Sequence, residues 1–144
     1  MGFHALYQWA SLLALIVTCG AAVWRGGRPE RWAAAAMALA WLGSTFAQRS
    51  LQLWGPQTGI MIIDGLLLAA LLLIALRSDR WWPMWASGFH GLGVFLHLAV
   101  MIDADIWGRA YYVAGAIFSY LTMIALLIGS LSRPKRPAET PSAG

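Results

Sequence analysis

The sequence predicts an all-α fold: a polytopic membrane bundle of five transmembrane helices, N-terminus outside and C-terminus in the cytoplasm. Three observations carry that expectation. Of the 144 residues, 60% are hydrophobic and 11% charged, with a mean hydropathy of +0.64, whereas a soluble domain has about 25% charged residues. The charges gather in short clusters between apolar stretches close to the roughly 20 residues that a bilayer crossing needs. In hydrocarbon, a segment of that length satisfies its own backbone N–H and C=O groups only as a helix.

The first apolar run extends from about Phe3 to Trp24 and stops at "RGGRPER", where two glycines, a proline and three arginines predict a polar turn. The second, about Trp32 to Gln48, is rich in alanine and only just long enough to cross. "RSLQLWGPQTG" follows, and its Gly-Pro pair breaks any helix before the third run, Ile60 to Leu76. A short "RSDRWWP" connection leads into the fourth, about Met84 to Ile102. Pro83 stands at its start, where a missing N–H is harmless. The brevity of that connection makes helices three and four antiparallel neighbours. "DADIWGR" separates the fourth from the fifth run, about Ala110 to Leu131.

Residues 1–131 thus form one five-helix transmembrane domain. The tail at 132–144, "SRPKRPAETPSAG", is basic and proline-rich, has no apolar surface to bury, and is expected to be disordered. Trp24, Trp32, Trp54, Trp81, Trp82, Trp85 and Trp107 fall near run ends, where indole rings favour the headgroup layer. The single cysteine, Cys19, lies within the first run and reads as a small packing residue. A lipoprotein signal is a poor fit, because "LIVT" precedes Cys19 and "MGFHALYQW" contains no Lys or Arg.

The orientation follows from the basic residues. With five crossings, Arg25, Arg28, Arg31, Arg77, Arg80, Arg133, Lys135 and Arg136 fall on one side, and only Arg49 and Arg109 on the other. Basic flanks stay cytoplasmic, so the eight-residue side faces inward. Removing the second crossing would scatter these arginines over both faces. The pI of 9.8 therefore reflects helix flanks, and no nucleic-acid motif accompanies it.

Within "MIIDGLLLAALLLIAL" the one charge is Asp64. Inserting it costs about 2.5 to 3.5 kcal/mol, and each Leu or Ile returns about 0.3 to 0.6 kcal/mol. With eleven Leu and Ile residues between Ile60 and Leu76, the third run can insert, but insertion does not explain the acid. The five-crossing topology puts Asp64 about 6 to 9 Å from the outer boundary. Reflecting its position through the turn near Asp79 lands close to Val94, within one turn of His97. An Asp64–His97 hydrogen bond is the first expectation, with Arg49 as a second candidate partner.

His90 lies seven residues before His97, on nearly the same face and about 10.5 Å away. Ser87, Gly88, Gly91 and Gly93 adjoin it and allow a close helix approach. His4, Gln8, Ser44, Thr45, Gln48, Arg109, Tyr111 and Tyr112 gather toward the same outer half, and Asp103 and Asp105 sit in a turn there.

The candidate polar site is therefore Asp64, His97, His90 and Arg49. It reads either as a register-fixing polar contact or as a proton-accepting path open to the outside. Haem ligation would need His4 with His97, since His90 and His97 share one face, and no CxxCH occurs. HExxH, GxSxG and phosphate-loop patterns are missing as well, so no catalytic residues, metal or cofactor are expected. The expected partners are the lipid bilayer and either another membrane protein or a second copy of the chain, with no nucleic acid. The expected role is an accessory or structural component of a membrane complex; the alternative is a small transporter or proton-relay component using Asp64 and His97.

Asp79, Arg80, Trp81, Trp82, Pro83 and Trp85 form a "DRWWPxW" turn, and a helix carrying His97, Leu98 and Ala99 as "HLA" follows it. This segment, with "RAYYVAGAIFSYLTMIALLIGS" after it, resembles a group of small uncharacterised bacterial inner-membrane proteins. The likeness covers about the C-terminal half. It implies a bacterial origin, a multi-pass place in the inner membrane and a fourth helix that starts at this turn, and it implies no activity.

Overall fold

In the computed structural model, the backbone of residues 3–50, 56–103 and 109–132 is described, with the side chains of 9–47, 58–103 and 110–132. The described residues form five helices: α1 (Phe3–Arg25), α2 (Arg28–Ser50), α3 (Pro56–Arg77), α4 (Trp82–Ile102) and α5 (Arg109–Leu131). Each helix packs on its neighbours in sequence, α1 also packs on α5 to close a ring, and α2 touches α5 across it. The α1–α2 and α3–α4 connections lie at one end, here the α3–α4 end. The α2–α3 and α4–α5 connections lie at the other, the α4–α5 end. The expected tail lies, beyond Ser132, outside the described residues, as do Trp54, Asp105 and Trp107.

Among the described residues, three helical segments are long and apolar enough to cross a membrane: Thr58–Arg77, Trp82–Ile102 and Ala110–Leu131. α3 is apolar all round, with Leu67 and Leu71 buried while Leu66 and Leu76 are exposed. A helix surrounded by such residues has no polar face to give to water.

α2 starts four residues earlier than its apolar run predicts, so most of the expected "RGGRPER" turn is helical. The turn itself shrinks to Gly26 and Gly27. The Gly26 N–H donates to Ala22 O at 3.0 Å, and the Arg31 N–H donates to Gly27 O at 3.2 Å, which makes Gly27 the N-cap of α2. Glu30, three residues on, accepts from the Gly27 N–H through Oε2 at 2.8 Å, one half of a capping box. A Cβ on Gly26 would collide with Ala22 O and Glu30 Cβ, so the tight turn requires glycine.

The interior is divided along the bundle axis. One part is an apolar cluster that includes Leu15, Ala33, Met37, Leu67, Leu71, Ala86 and Leu126. Alanines let α1 and α2 approach closely, and the Cys19 thiol, half-buried, lies 3.5 Å from Ala34 O across that contact. Trp82, expected at the headgroup layer, is instead fully buried in this cluster. It fits because Gly129 has no side chain: a Cβ there would overlap the Trp82 ring.

Close packing at Gly129 gives a stability test. Gly129→Ala is expected to destabilise the fold by about 1 to 3 kcal/mol, the usual range for overpacking. Gly115→Ala, where an added Cβ meets nothing within 4 Å, should be neutral or slightly stabilising. Thermal unfolding of both variants in the same detergent checks the contrast, and equal melting temperatures would contradict it.

Candidate functional site

Asp64 projects from α3 toward α4, and His97 comes to it: His97 Nε2 lies 3.0 Å from Asp64 Oδ2. Helix register accounts for the meeting. Asp64 is eight residues from the start of α3, and His97 is five from the end of the antiparallel α4. Their backbones therefore lie about 12 and 7.5 Å from the α4–α5 end, a difference that two side chains span. The Asp64 side chain keeps 23% of its exposure and that of His97 15%.

The contact extends further. Tyr111, in the first turn of α5, places its hydroxyl 2.7 Å from His97 Nδ1, with the two rings edge to face at 5.6 Å. An ionised carboxylate only accepts, so in the neutral state Nε2–H donates to Asp64 and Nδ1 accepts from the Tyr111 O–H. Tyr112 packs edge-on against Tyr111 at 5.3 Å. One imidazole thus ties α3, α4 and α5 together.

His90 does not join the carboxylate. Its Nε2–H donates to the main-chain carbonyl of Asp64 at 3.0 Å, so it sits one step deeper, about 18 Å from the end of α4. The glycines beside it are divided: a Cβ added at Gly91 would lie 3.7 Å from Leu68 of α3, one at Gly93 would lie 3.9 Å from Phe118 of α5, and one at Gly88 would meet nothing within 4 Å among the described residues. Arg49, the other expected partner of Asp64, lies in α2, and its side chain is outside the described residues, as is that of His4. Asp103 ends α4, its N–H donating to Ala99 O at 2.9 Å.

The sequence reading put Tyr111 only among general outer-half polar residues. Reflecting His97 through the α4–α5 connection lands near residue 114, within one turn of Tyr111, and would have found it.

A second polar cluster, at the α3–α4 end, was not anticipated. Glu30 is 1% exposed, and its Oε1 accepts from Trp82 Nε1–H at 2.8 Å and from Arg80 at 3.0 Å. Arg80 Nη2 also donates to Gly129 O at 2.6 Å and Ser132 O at 2.9 Å, closing the carbonyl end of α5. Arg80, expected as a cytoplasmic flanking charge, is thus committed to a buried acid. The available signal was an acid three residues after a glycine N-cap candidate, in a segment that otherwise reads as a basic turn.

Among the described residues no three His, Cys, Asp or Glu side chains converge as a metal would need. Both nitrogens of His97 are engaged, so using it as an axial ligand would break one of those bonds. What the Asp64–His97–Tyr111 chain can do is hold the helices in register and accept a proton at the imidazole. No family model, curated protein or solved structure matches this chain.

The Glu30 cluster carries a graded prediction. Arg80→Ala is expected to cost about 3 kcal/mol or more, as when a buried carboxylate loses its partner. Glu30→Gln should cost less, because the amide oxygen still accepts from one N–H. Denaturant unfolding followed by tryptophan fluorescence gives the order, and a smaller loss for Arg80→Ala would mean that the carboxylate is solvated.

Proposed function

We propose that the chain crosses a bacterial inner membrane five times, N-terminus outside and C-terminus cytoplasmic, and serves as an accessory or structural component of a membrane complex. The basic residues support the orientation: Arg25, Arg28, Arg31, Arg77 and Arg80 lie at the α3–α4 end, while Arg49 and Arg109 lie at the other. The bacterial setting rests on the resemblance of the "DRWWPxW" turn and the helix after it.

One observation carries the accessory role. Gly20, Gly65, Gly88 and Gly115 lie where an added Cβ would meet no other side chain or helix among the described residues within 4 Å. On α4, Gly88 stands between the exposed Met84 and Leu92, one turn to either side, with Phe95 further along the same face. An open glycine flanked by large apolar side chains suits the close approach of another transmembrane helix, where small residues bring backbones together.

A second reading, a small transporter or proton-relay component working through Asp64 and His97, is favoured by the Tyr111 hydroxyl on the far nitrogen of His97.

The accessory reading is tested with photo-crosslinkers at Met84, Leu92 and Phe95 in native membranes. A discrete protein adduct is expected, and Gly88→Leu should abolish it without lowering the melting temperature of the purified chain. Lipid adducts alone at all three positions would refute the accessory reading.

A further inference from the structure

The polar groups between α3, α4 and α5 are ordered by depth. Tyr111 is two residues inside α5, about 3 Å from its start, and His97, Asp64 and His90 follow at about 7.5, 12 and 18 Å. Each contacts the next: Tyr111 hydroxyl to His97 Nδ1, His97 Nε2 to the Asp64 carboxylate, Asp64 carbonyl to His90 Nε2. The helices are about 33 Å long, so the ladder runs from the α4–α5 end to the middle of the bundle.

Beyond His90 the character of the interior changes. The buried residues further inward, Leu71 of α3, Ala86 of α4, and Ala125 and Leu126 of α5, belong to the apolar cluster, and the buried Thr122 of α5 donates its hydroxyl to Phe118 O of its own helix at 2.8 Å. Ser87, also buried, turns its hydroxyl back to Pro83 O at 2.7 Å. The Glu30–Arg80–Trp82 group lies past this layer, with its charges paired to each other. Among the described residues of α3, α4 and α5, this layer carries no carboxylate or imidazole to take a proton, and its hydroxyls donate to carbonyls of their own helices; an interior so lined stays dry.

We propose that His97 is a proton-binding site loaded from the α4–α5 end, and that the bound proton goes no further across the bundle. The proposal rests on the proton-relay reading and narrows it. In the neutral state the Tyr111 hydroxyl donates to Nδ1. On uptake, Nδ1 gains the proton and donates to the Tyr111 oxygen, whose own hydrogen rotates away, while Nε2–H continues to face the Asp64 carboxylate. One proton is added and no bond between heavy atoms breaks. Among the described side chains, the titratable and charged groups near His97 are Asp64 from α3, Tyr111 from α5 with Tyr112 behind it, and His90 on α4 itself.

The full chain, with its histidines labelled with nitrogen-15, is reconstituted in vesicles of one orientation, and the imidazole signals are assigned by comparison with His90→Gln. Acidifying the side that bears the α4–α5 connection is expected to convert His97 from the neutral Nε2–H form to imidazolium, and acidifying only the other side to leave it neutral. Asp64→Asn should abolish the conversion while its unfolding curve shows that it still folds. Vesicles loaded with a pH dye and held under a potassium diffusion potential should show no proton flux above empty vesicles.

A His97 ring that stays in one state throughout overturns both this inference and the relay reading. Conversion from the opposite side overturns the assigned entrance. A flux that disappears in His97→Gln overturns the closed end and leaves the relay reading standing.

Discussion

Glu30 is a carboxylate almost without contact with solvent, and a charge so placed must be neutralised and hydrogen-bonded or the fold is lost. Its donors come from three places: the turn before α2, the indole at the start of α4 and the guanidinium between α3 and α4. Arg80 then caps the carbonyls of α5 with the same group. The register of α2, α4 and α5 at one end follows from satisfying this acid. The slot for Trp82 against Gly129, and the glycine turn that brings Glu30 inward, are further conditions of the same arrangement.

The opposite half of the bundle is organised by a weaker constraint. Asp64 keeps some exposure and, among the described residues, its carboxylate is hydrogen-bonded to one imidazole, and that imidazole is shared with a tyrosine from α5. Polar contacts between membrane helices contribute on average only about 0.6 kcal/mol, so this chain of groups positions helices more than it stabilises them. The two clusters differ accordingly. The first gathers its donors on a buried charge, whereas the second centres on a ring shared between a carboxylate and a hydroxyl.

The Asp64–His97 contact was legible because both residues are polar in apolar runs and a short connection fixes the reflection between antiparallel helices. Apolar run length and breakers likewise gave α1, α3, α4 and α5 within a few residues. The start of α2 was not legible from hydropathy, because its first turn is polar and is buried only through pairing with a turn some 50 residues away, a contact of high sequence separation. Trp82 and Arg80 misled for the same reason. As single residues they look like interfacial anchors, and only Glu30 and Gly129 together draw them inward. The "DRWWPxW" turn thus contains two of the residues that hold the fold.

Ser11 of α1 and Tyr120 of α5 share a hydrogen bond at 3.1 Å between residues 109 positions apart. During synthesis the opening helix of the set emerges first, and the flank it will use for α5 has nothing to rest on until the final helix leaves the ribosome. Until then, lipid or a chaperone must cover that seam. A chain stopped before α5 would keep α1 beside α2 with an unsealed edge, so maturation of the circle is decided by its closing member.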